Sequence, residues 1–372
     1  MQAAQRNLLL VGGGHTHLHV LRALASRPEP NLRVTLVSPY PLATYTGMVP
    51  GVLAEQYSLR QAQIDLRALT ARGGAAFVEA RVVAVEAPSR RLRLHDDTSI
   101  EYDLVSFDVG SEPAAADRIA RDAPVARVKP IEVAARDIEA ALANPPLPRG
   151  RRVVVVGAGA GGCEIAFALA VRLRREGGGS VTVCDRAALP AEARGERTSA
   201  AVLCAFARRE IEFVGEVAVV RAESFGVRLA DGRTLPADLI VWATGAAGPA
   251  FLRASGLAVD ERGFVRVGDD LRSADFPEVF AAGDCAALAS YPELPKAGVY
   301  ALREGPVLHA NLRAAAGGRR LRAYRPQRDS LALLNTGDGR AIFSRGGIAF
   351  ESRAAWWLKD WIDKRFIRRT AG

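Results

Sequence analysis

The sequence is poor in cysteine and in uninterrupted apolar runs, and each shortage excludes a class of protein. Four cysteines in 372 residues, with no C-x-x-C or C-x-x-x-x-C spacing, fit neither a disulfide framework nor a zinc site. We therefore expect a reducing, cytoplasmic setting. The longest nearly uncharged stretch, residues 153–171, is broken by glycines and Glu164, so it is a poor membrane span. Glycines also interrupt the apolar run near the N-terminus, and we expect no signal peptide.

Lysine is also scarce, and the positive charge is almost entirely arginine. Of 50 cationic residues, only those at positions 129, 296, 359 and 364 are lysine, and the formal net charge is +9. Arginines spread along a chain, without a basic module interleaved with aromatic residues, do not indicate a phosphate-binding surface. We expect no nucleic-acid partner. The 49% hydrophobic and 24% charged composition is typical of a soluble globular chain with two or three domains.

The chain contains an internal duplication. Each copy begins with an apolar strand, a glycine-rich turn, a helical pattern and a second strand, and the first glycines, Gly12 and Gly157, are 145 positions apart. Each copy ends with a strand that stops at a glycine, Gly110 in one and Gly245 in the other, 135 positions apart. Two related βαβ units predict an α/β fold with two Rossmann-like dinucleotide-binding domains.

The two glycine turns predict two phosphate-binding sites. A strand that enters a helix through glycines leaves backbone N–H groups and the positive helix end facing one point, which attracts a pyrophosphate. One such motif is weak support, but two copies, each followed by a second strand, indicate dinucleotide binding. The glycines concerned are Gly12, Gly13 and Gly14 in the first copy and Gly157, Gly159 and Gly162 in the second.

The two copies differ where the ligand is selected. The strand after the second glycine turn ends at Asp185, whose carboxylate would accept hydrogen bonds from the ribose of NADH. Its neighbour Arg186 would instead pair with the 2′-phosphate of NADPH, so the choice between the two stays open. The first copy has His17 at the third glycine position and Ser38 where the acid is expected. Its ligand must therefore be held by other contacts.

Residues 279–284, Val-Phe-Ala-Ala-Gly-Asp, resemble the second flavin fingerprint of the two-dinucleotide-binding flavoproteins, the pyridine nucleotide-disulfide oxidoreductase superfamily. Within it, the chain is most similar to type II NADH dehydrogenases. Through residues 12–17, 45–51 and 295–301 it also resembles the flavoprotein domain fused to selenide, water dikinase. The resemblance implies FAD as cofactor and NADH or NADPH as substrate.

The resemblance also implies interleaved domains. The FAD-binding domain is expected over residues 1–113 and 239–316, with the NAD(P)H-binding domain inserted over residues 114–238. A small C-terminal region of strands and a helix is expected over residues 317–372.

Candidate site residues follow from the glycine turns and the resemblance. Those expected at FAD are Gly12, Gly13, Gly14, His15, His17, Ser38, Gly110 and Asp284. Those expected at NAD(P)H are Gly157, Gly159, Gly162, Asp185, Arg186 and Gly245. Lys296 and the start of a helix at Gly298 are expected at the flavin edge, where negative charge develops on reduction. Thr46, Gly47 and Met48 are expected to form the acceptor loop.

Several residues depart from the pattern of the superfamily. Residues 39–51, which carry the redox-active cysteine pair in disulfide reductases, contain no cysteine here, so electrons cannot leave through an internal dithiol. We expect Cys163 and Cys285 to pack as small core residues. We expect no metal at the histidines at positions 15, 17 and 19, because they do not share one helical face. Asp108 is an unexpected charge near the cofactor, for which the sequence offers no physical account.

The C-terminal region predicts two strands, over residues 331–334 and 341–344, followed by an amphipathic helix over residues 354–369. Trp357 and Trp361 lie at helical spacing, and basic residues outnumber acidic ones on this helix. The pattern is typical of a helix lying on an anionic membrane. It equally fits a helix that packs its tryptophans on the flavin domain or on a second subunit.

These features predict an FAD-dependent NAD(P)H dehydrogenase that passes two electrons to a small-molecule acceptor, with quinone preferred. One alternative is a soluble reductase for a protein or a selenium-related acceptor. An alternative of another class is a nucleotide-sensing flavoprotein scaffold without appreciable turnover. Peripheral attachment to the cytoplasmic face of a membrane and a homodimer are arrangements that the sequence leaves open.

Overall fold

The computed structural model describes residues 5–143 and 150–371, so the outermost ends of the expected domains, at residues 1 and 372, lie outside the described residues. The helices within these ranges are α1 (His15–Ser26), α2 (Val49–Leu53), α3 (Leu66–Arg72), α4 (Ile131–Leu142), α5 (Ala160–Arg175), α6 (Glu196–Arg208), α7 (Ala250–Arg253), α8 (Gly298–Ala316) and α9 (Arg353–Ala371).

The strands within the same ranges are β1 (Arg6–Val11), β2 (Leu32–Ser38), β3 (Leu42–Thr44), β4 (Gln63–Asp65), β5 (Ala76–Glu79), β6 (Val82–Glu86), β7 (Arg91–Leu94), β8 (Ser99–Glu101), β9 (Leu104–Phe107), β10 (Glu112–Pro113), β11 (Val125–Arg127), β12 (Arg151–Val156), β13 (Gly179–Cys184), β14 (Ile211–Val214), β15 (Val219–Glu223), β16 (Gly226–Leu229), β17 (Thr234–Pro236), β18 (Leu239–Trp242), β19 (Ala246–Ala247), β20 (Val265–Val267), β21 (Val279–Ala281), β22 (Ala286–Leu288), β23 (Ala332–Asn335), β24 (Ala341–Arg345) and β25 (Ile348–Ser352).

The first sheet contains five parallel strands in the order β21-β9-β1-β2-β5. Its central strand β1 is a nearly continuous apolar run whose last four residues are buried, as parallel strands covered on both faces require. Helices α1 and α8 pack against each other beside it. The carboxyl ends of β1, β9 and β21 lie side by side, so Gly12, Asp108 and Gly283 meet at one edge of the sheet.

The second sheet repeats this plan in the order β11-β18-β12-β13-β14, again with all strands parallel. Residues 239–242, which the sequence analysis assigned to the flavin domain, form β18 and pair with β12. The expected boundary at residue 239 therefore moves past residue 242, because β18 pairs with β11 and β12 of the second sheet. The chain returns to the first sheet through β19, which pairs with β10 on the outgoing segment.

Hydrogen bonds at equivalent positions confirm the duplication. The carboxylate of Asp103 accepts the backbone N–H of Asn7 at 2.7 Å, and the carboxylate of Asp238 accepts that of Arg152 at 2.9 Å. Both copies also carry a three-stranded antiparallel meander, β6-β7-β8 in one and β15-β16-β17 in the other. The structure therefore confirms an α/β fold of two interleaved Rossmann-like units.

The C-terminal region is a three-stranded antiparallel sheet, β23-β24-β25, followed by α9. The two expected strands are present within one residue at each end. The third strand, β25, was not predicted, and it follows a tight turn at Gly346 and Gly347, both with positive φ. Helix α9 begins directly after β25 and runs two residues beyond the expected end.

Candidate functional site

The second glycine turn joins β12 to α5 and uses each of its glycines differently. Gly157 has φ +112°, and a Cβ there would collide with the carbonyl oxygen of Ala243. A Cβ on Gly162 would collide with the carbonyl oxygen of Gly157, so this glycine lets the helix pack closely on the strand. Gly159 faces open space, which leaves its backbone accessible to a pyrophosphate. The turn therefore has the geometry of a dinucleotide-binding loop.

Asp185 follows β13 and lies beside this turn. Its carboxylate accepts the backbone N–H of Ala158 at 2.5 Å and that of Ala187 at 2.9 Å. Arg186 is exposed. Gly245, at the end of the second unit, lies just before the linker strand β19.

The first glycine turn joins β1 to α1 and is built differently. Gly12 has φ +93°, and a Cβ there would collide with the backbone carbonyl of Asp108. Gly13 packs against Leu66, and Gly14 packs against the Asp108 carboxyl group. At the third glycine position, the buried ring of His17 donates from Nδ1 to the Gly12 carbonyl oxygen at 2.8 Å, and its Nε2 accepts the Ser106 hydroxyl at 2.8 Å. Burial lowers the pKa of His17 to about 4.

The other expected FAD residues lie around this turn. Ser38 ends β2, and its hydroxyl donates to the carbonyl oxygen of Tyr40 at 3.0 Å and so closes the following turn. Gly110 has φ +72° and begins the linker to the second unit. Asp284 Oδ2 lies 3.1 Å from Lys129 Nζ, and Ser111 contacts both groups. The sequence analysis missed Lys129, which follows β11 and reaches across from the second unit.

Helix α8 places its N-terminus against both residues 46–48, the expected acceptor loop, and the first glycine turn. A Cβ on Gly298 would lie 3.6 Å from Thr46 Oγ1 and 3.9 Å from His15 Cε1. Lys296 Nζ donates to the carbonyl oxygen of Ala286 and lies 4.2 Å from the centre of the Phe264 ring. Burial lowers the pKa of Lys296. This lysine is therefore not a solvated loop residue.

The residues present fit a bound dinucleotide at the first turn. The Nε2 atom of His15 is buried and, within the described part of the chain, has no hydrogen-bond partner. Buried polar atoms are nearly always paired, so an unpaired one at this junction points to a ligand. No three metal-ligating side chains are grouped anywhere in residues 5–143 and 150–371.

Comparison with known families decides the assignment. The profile of the family described as "Pyridine nucleotide-disulphide oxidoreductase" matches residues 6–305, which include both glycine turns and Asp284. The chain belongs to the pyridine nucleotide-disulphide oxidoreductase family. Members of this family are oxidoreductases that use FAD and NAD(P)H.

Individual relatives agree with the family. The chain is 30% identical to apoptosis-inducing factor 3 of Mus musculus over 296 residues, which cover 76% of this chain and 46% of that protein. It is 28% identical to an NADH dehydrogenase-like protein of Mycobacterium tuberculosis over 238 residues, 62% of this chain and 60% of that one. The chain therefore spans about half the length of such relatives.

A solved structure shows the same architecture. The sulfide:quinone oxidoreductase of Aquifex aeolicus superposes with a TM-score of 0.81, over 98% of this chain and 91% of that one. At 18% sequence identity, this likeness supports the fold alone.

Unlike members of the pyridine nucleotide-disulphide oxidoreductase family that use cysteine pairs, this protein has no reactive thiol near its first glycine turn. Cys163 and Cys285 are fully buried, as expected for small core residues. Burial raises the pKa of each thiol to about 12. Because the thiolate is the nucleophilic form, neither cysteine is activated.

The acceptor loop of this family member is covered by α9. Lys359 on α9 is buried, and its Nζ donates to the Gly47 carbonyl oxygen at 2.8 Å. The same atom lies 3.2 Å from Asp363 and 3.8 Å from Glu164 on α5. Burial alone would lower the pKa of Lys359, but the two carboxylates raise it above the ordinary lysine value. Lys359 thus carries its charge beside the loop.

Aromatic rings complete this cover. Tyr45, just before the loop, donates its hydroxyl to Asp363 at 3.1 Å, and its ring lies 4.5 Å from that of Phe366. His15 packs edge-on against Tyr45 at 5.4 Å. Met48 is 1% exposed. Sequence reasoning missed Tyr45, Glu164, Lys359 and Asp363, because nothing in their spacing brings α5, α9 and the loop together.

Proposed function

We propose that the protein is an FAD-dependent NAD(P)H dehydrogenase that delivers two electrons to a quinone at a membrane surface. The FAD ring, when bound, accepts hydride from NAD(P)H and returns two electrons to an acceptor. The relatives support the dehydrogenase part of this proposal, since one is named NADH dehydrogenase-like. The membrane part depends on α9.

The observation that carries the proposal is the exposed face of α9. Trp357 is 64% exposed, Trp361 51% and Leu358 39%. The exposed cations of the same helix are Arg353, Lys364, Arg365, Arg368 and Arg369. Tryptophan and leucine among arginines are typical of a helix that lies in the headgroup region of an anionic bilayer. No helix in the described part of the chain combines the length and apolar composition of a membrane span.

The opposite face of α9 supports an acceptor site next to the membrane. Ala355, Lys359, Asp363 and Thr370 are buried on it, and Lys359 contacts the acceptor loop. A helix is about 10 Å across, so the loop and the proposed membrane face lie on two sides of a single helix. A quinone headgroup at the interface would thus lie about one helix width from the loop.

The chain's own residues perform binding and charge stabilisation. We propose that the Gly157–Gly162 turn and Asp185 hold NAD(P)H, with NADH against NADPH decided by Asp185 and Arg186. The first glycine turn, Ser38, Gly110 and Asp284 are proposed to hold FAD. Lys296 and the N-terminus of α8 at Gly298 would stabilise negative charge that develops at the flavin edge. No side chain is required as a nucleophile.

The proposal is tested with a double variant of the exposed face, Trp357→Ala with Trp361→Ala. We expect binding to vesicles of phosphatidylcholine and phosphatidylglycerol to weaken by roughly tenfold or more, because two interfacial rings are lost. Reduction of a long-chain quinone in those vesicles should fall in parallel, while NADH still bleaches the flavin. Unchanged vesicle binding and quinone turnover in the double variant would refute the membrane proposal.

The matched control changes two equally exposed apolar residues outside α9. Ile348 is 55% exposed and Phe350 48%, both on β25. The double variant Ile348→Ala with Phe350→Ala should bind vesicles within twofold of the unmodified protein, because we assign vesicle binding to α9 and not to exposed apolar surface in general. Turnover near zero with every acceptor in the unmodified protein would instead favour a nucleotide-sensing scaffold.

A soluble reductase for a protein acceptor is the second candidate. The formal net charge of +9 favours it, because a basic surface steers acidic partners toward the enzyme. Such an enzyme should reduce an acidic iron–sulfur protein at a rate that falls steeply with salt, and should ignore quinone in vesicles. The acceptor panel therefore separates the two candidates.

A further inference from the structure

Three polar side chains at the first glycine turn, His17, Ser106 and Asp108, contact one another and form a polar unit that the second half lacks. The offsets of 145 and 135 residues pair His17 with Gly162, Ser106 with Val241 and Asp108 with Ala243. In the second half, Gly162 packs directly against the Gly157 carbonyl oxygen. In the first half, the His17 ring occupies that space and bonds to both the Gly12 carbonyl oxygen and Ser106. Three contacting positions are therefore polar in the first half and small or apolar in the second.

Asp108 is the acidic member of this polar unit, and its carboxyl group lies against the first glycine turn. Its Oδ2 accepts the backbone N–H of His17 at 2.9 Å, and its backbone carbonyl accepts that of Gly14 at 3.1 Å. A Cβ on Gly14 would collide with the carboxyl group, and a Cβ on Gly283 would lie 2.5 Å from Oδ1. Gly14 belongs to the first glycine turn and Gly283 to the second flavin fingerprint. The carboxyl group thus lies between the two loops that receive FAD.

A charged carboxylate at this place opposes the cofactor. The pyrophosphate of FAD carries two negative charges, and like charges at short distance disfavour each other. Burial raises the pKa of Asp108 to about 7, although the His17 N–H lowers it. The titratable groups that face Asp108 are His17 from α1, Cys285 and Asp284 beside Gly283, and Glu304 from α8. None of these supplies a positive charge to Asp108 near pH 7.

We propose that Asp108 is a positioning residue whose neutral, protonated form admits the FAD pyrophosphate, so that FAD binding takes up a proton at this carboxyl group. The proposal rests on the assignment of FAD to the first unit and is independent of the electron acceptor. It gives the unexpected aspartate of the first unit a role: as a neutral acid it still fills the space against Gly14 and Gly283.

The test measures FAD affinity for the refolded or exchanged apoprotein across pH 6 to 8. If only the protonated form binds and its pKa is about 7, the dissociation constant should rise about tenfold between pH 6 and pH 8. Asp108→Asn keeps the shape and the acceptor for the His17 N–H, and its FAD affinity should not change with pH. Glu304→Gln is the matched control, because it removes the neighbouring buried carboxyl group, and it should retain the dependence.

Proton uptake gives a second measurement. Calorimetric titration with FAD in two buffers of different ionisation enthalpy should show uptake of about one proton at pH 8 by the unmodified protein and none by Asp108→Asn. If Asp108 had only a structural role, Asp108→Asn would change the FAD affinity but would take up the same number of protons as the unmodified protein. A pH-independent affinity in the unmodified protein, or a dependence that persists in Asp108→Asn or vanishes in Glu304→Gln, would overturn the proposal.

A third variant keeps the test decisive if Asp108→Asn does not fold. Replacing the unit by its counterparts of the second half, His17→Gly, Ser106→Val and Asp108→Ala together, should give a folded protein with pH-independent FAD affinity. Thermal unfolding of the apoprotein checks the fold. Retained pH dependence in the folded triple variant would also overturn the proposal. A folded, unmodified protein that binds no FAD at any pH would remove the flavoprotein assignment itself.

Discussion

Lys359 shows how much of the candidate site depends on single buried residues. It joins the Gly47 carbonyl oxygen of the acceptor loop, Asp363 on its own helix and Glu164 from the second unit. Its side chain is only 10% exposed, so water does not replace these partners. Lys359 therefore fixes α9 over the loop by charge rather than by apolar contact.

At this scale we predict that Lys359→Met destabilises the protein by about 3–5 kcal/mol, because it leaves two buried carboxylates without their cation. Urea unfolding measures the loss. It should be smaller at pH 5 than at pH 8, since burial raises the pKa of Glu164, and a protonated Glu164 needs no counterion. Lys364→Met on the same helix is the control. Lys364 is 48% exposed and pairs with Asp360, so we expect a change below about 1 kcal/mol. Equal losses in both variants would contradict this role for Lys359.

Among the elements, the glycine turn between β12 and α5 separates two uses of the same residue type. Gly157 is required by the backbone, because it has positive φ and a carbonyl oxygen where a Cβ would be. Gly159 is free of both constraints, so its value lies in exposing backbone to a ligand. The spacing of the motif predicted the turn, but only the contacts distinguish the two roles.

We predict opposite signatures for two alanine variants of this turn. Gly157→Ala should lower the free energy of unfolding by about 1–3 kcal/mol or more, because the backbone conformation is strained for any other residue. Gly159→Ala should unfold at the same temperature as the unmodified protein but raise the KM for NAD(P)H several-fold. Thermal unfolding and steady-state kinetics, each with FAD content recorded, distinguish them. A Gly159→Ala variant with unchanged KM would argue against nucleotide binding at this turn.

Helix α9 illustrates what an element's sequence can and cannot specify. Its amphipathic pattern was evident from the spacing of tryptophans and cations, and both a membrane contact and packing on the protein fitted it. In the structure, Phe366 packs toward the core while Trp357 and Trp361 stay exposed. Helical spacing gives the angle of each side chain around the axis, but not which angle the rest of the protein covers.

In the whole molecule, the C-terminal region fastens the two units to each other. Helix α9 contacts the first unit through Tyr45 and Tyr57, while the sheet β23-β24-β25 contacts the second unit. Arg209, at the end of α6, lies 2.6 Å from Glu351 on β25, with side chains 4% and 5% exposed. The two units are therefore held by this region as well as by the linker strands β10 and β19.

We predict that Arg209→Met loosens this connection. It should cost about 1–3 kcal/mol of stability, because Glu351 loses its buried partner and keeps only the more exposed Arg208 and Arg340. Hydrogen exchange should rise in both β25 and α6, and flavin reduction by NAD(P)H should slow while FAD content stays constant. Arg208→Met is the control, since Arg208 also contacts Glu351 but is 57% exposed. A slowing of flavin reduction as large in Arg208→Met would contradict this coupling.

The sequence by itself determined the α/β fold, the duplication and the two glycine turns, because strand periodicity and glycine conformation act over a few neighbouring residues. It also predicted buried, unreactive thiols at Cys163 and Cys285. Only the tertiary structure decided that β18 belongs to the second sheet, that Lys129 reaches Asp284, and that Asp108 fills the cradle of the first glycine turn. Those contacts join residues more than eighty positions apart, and the pattern of neighbouring residues in the sequence does not specify them.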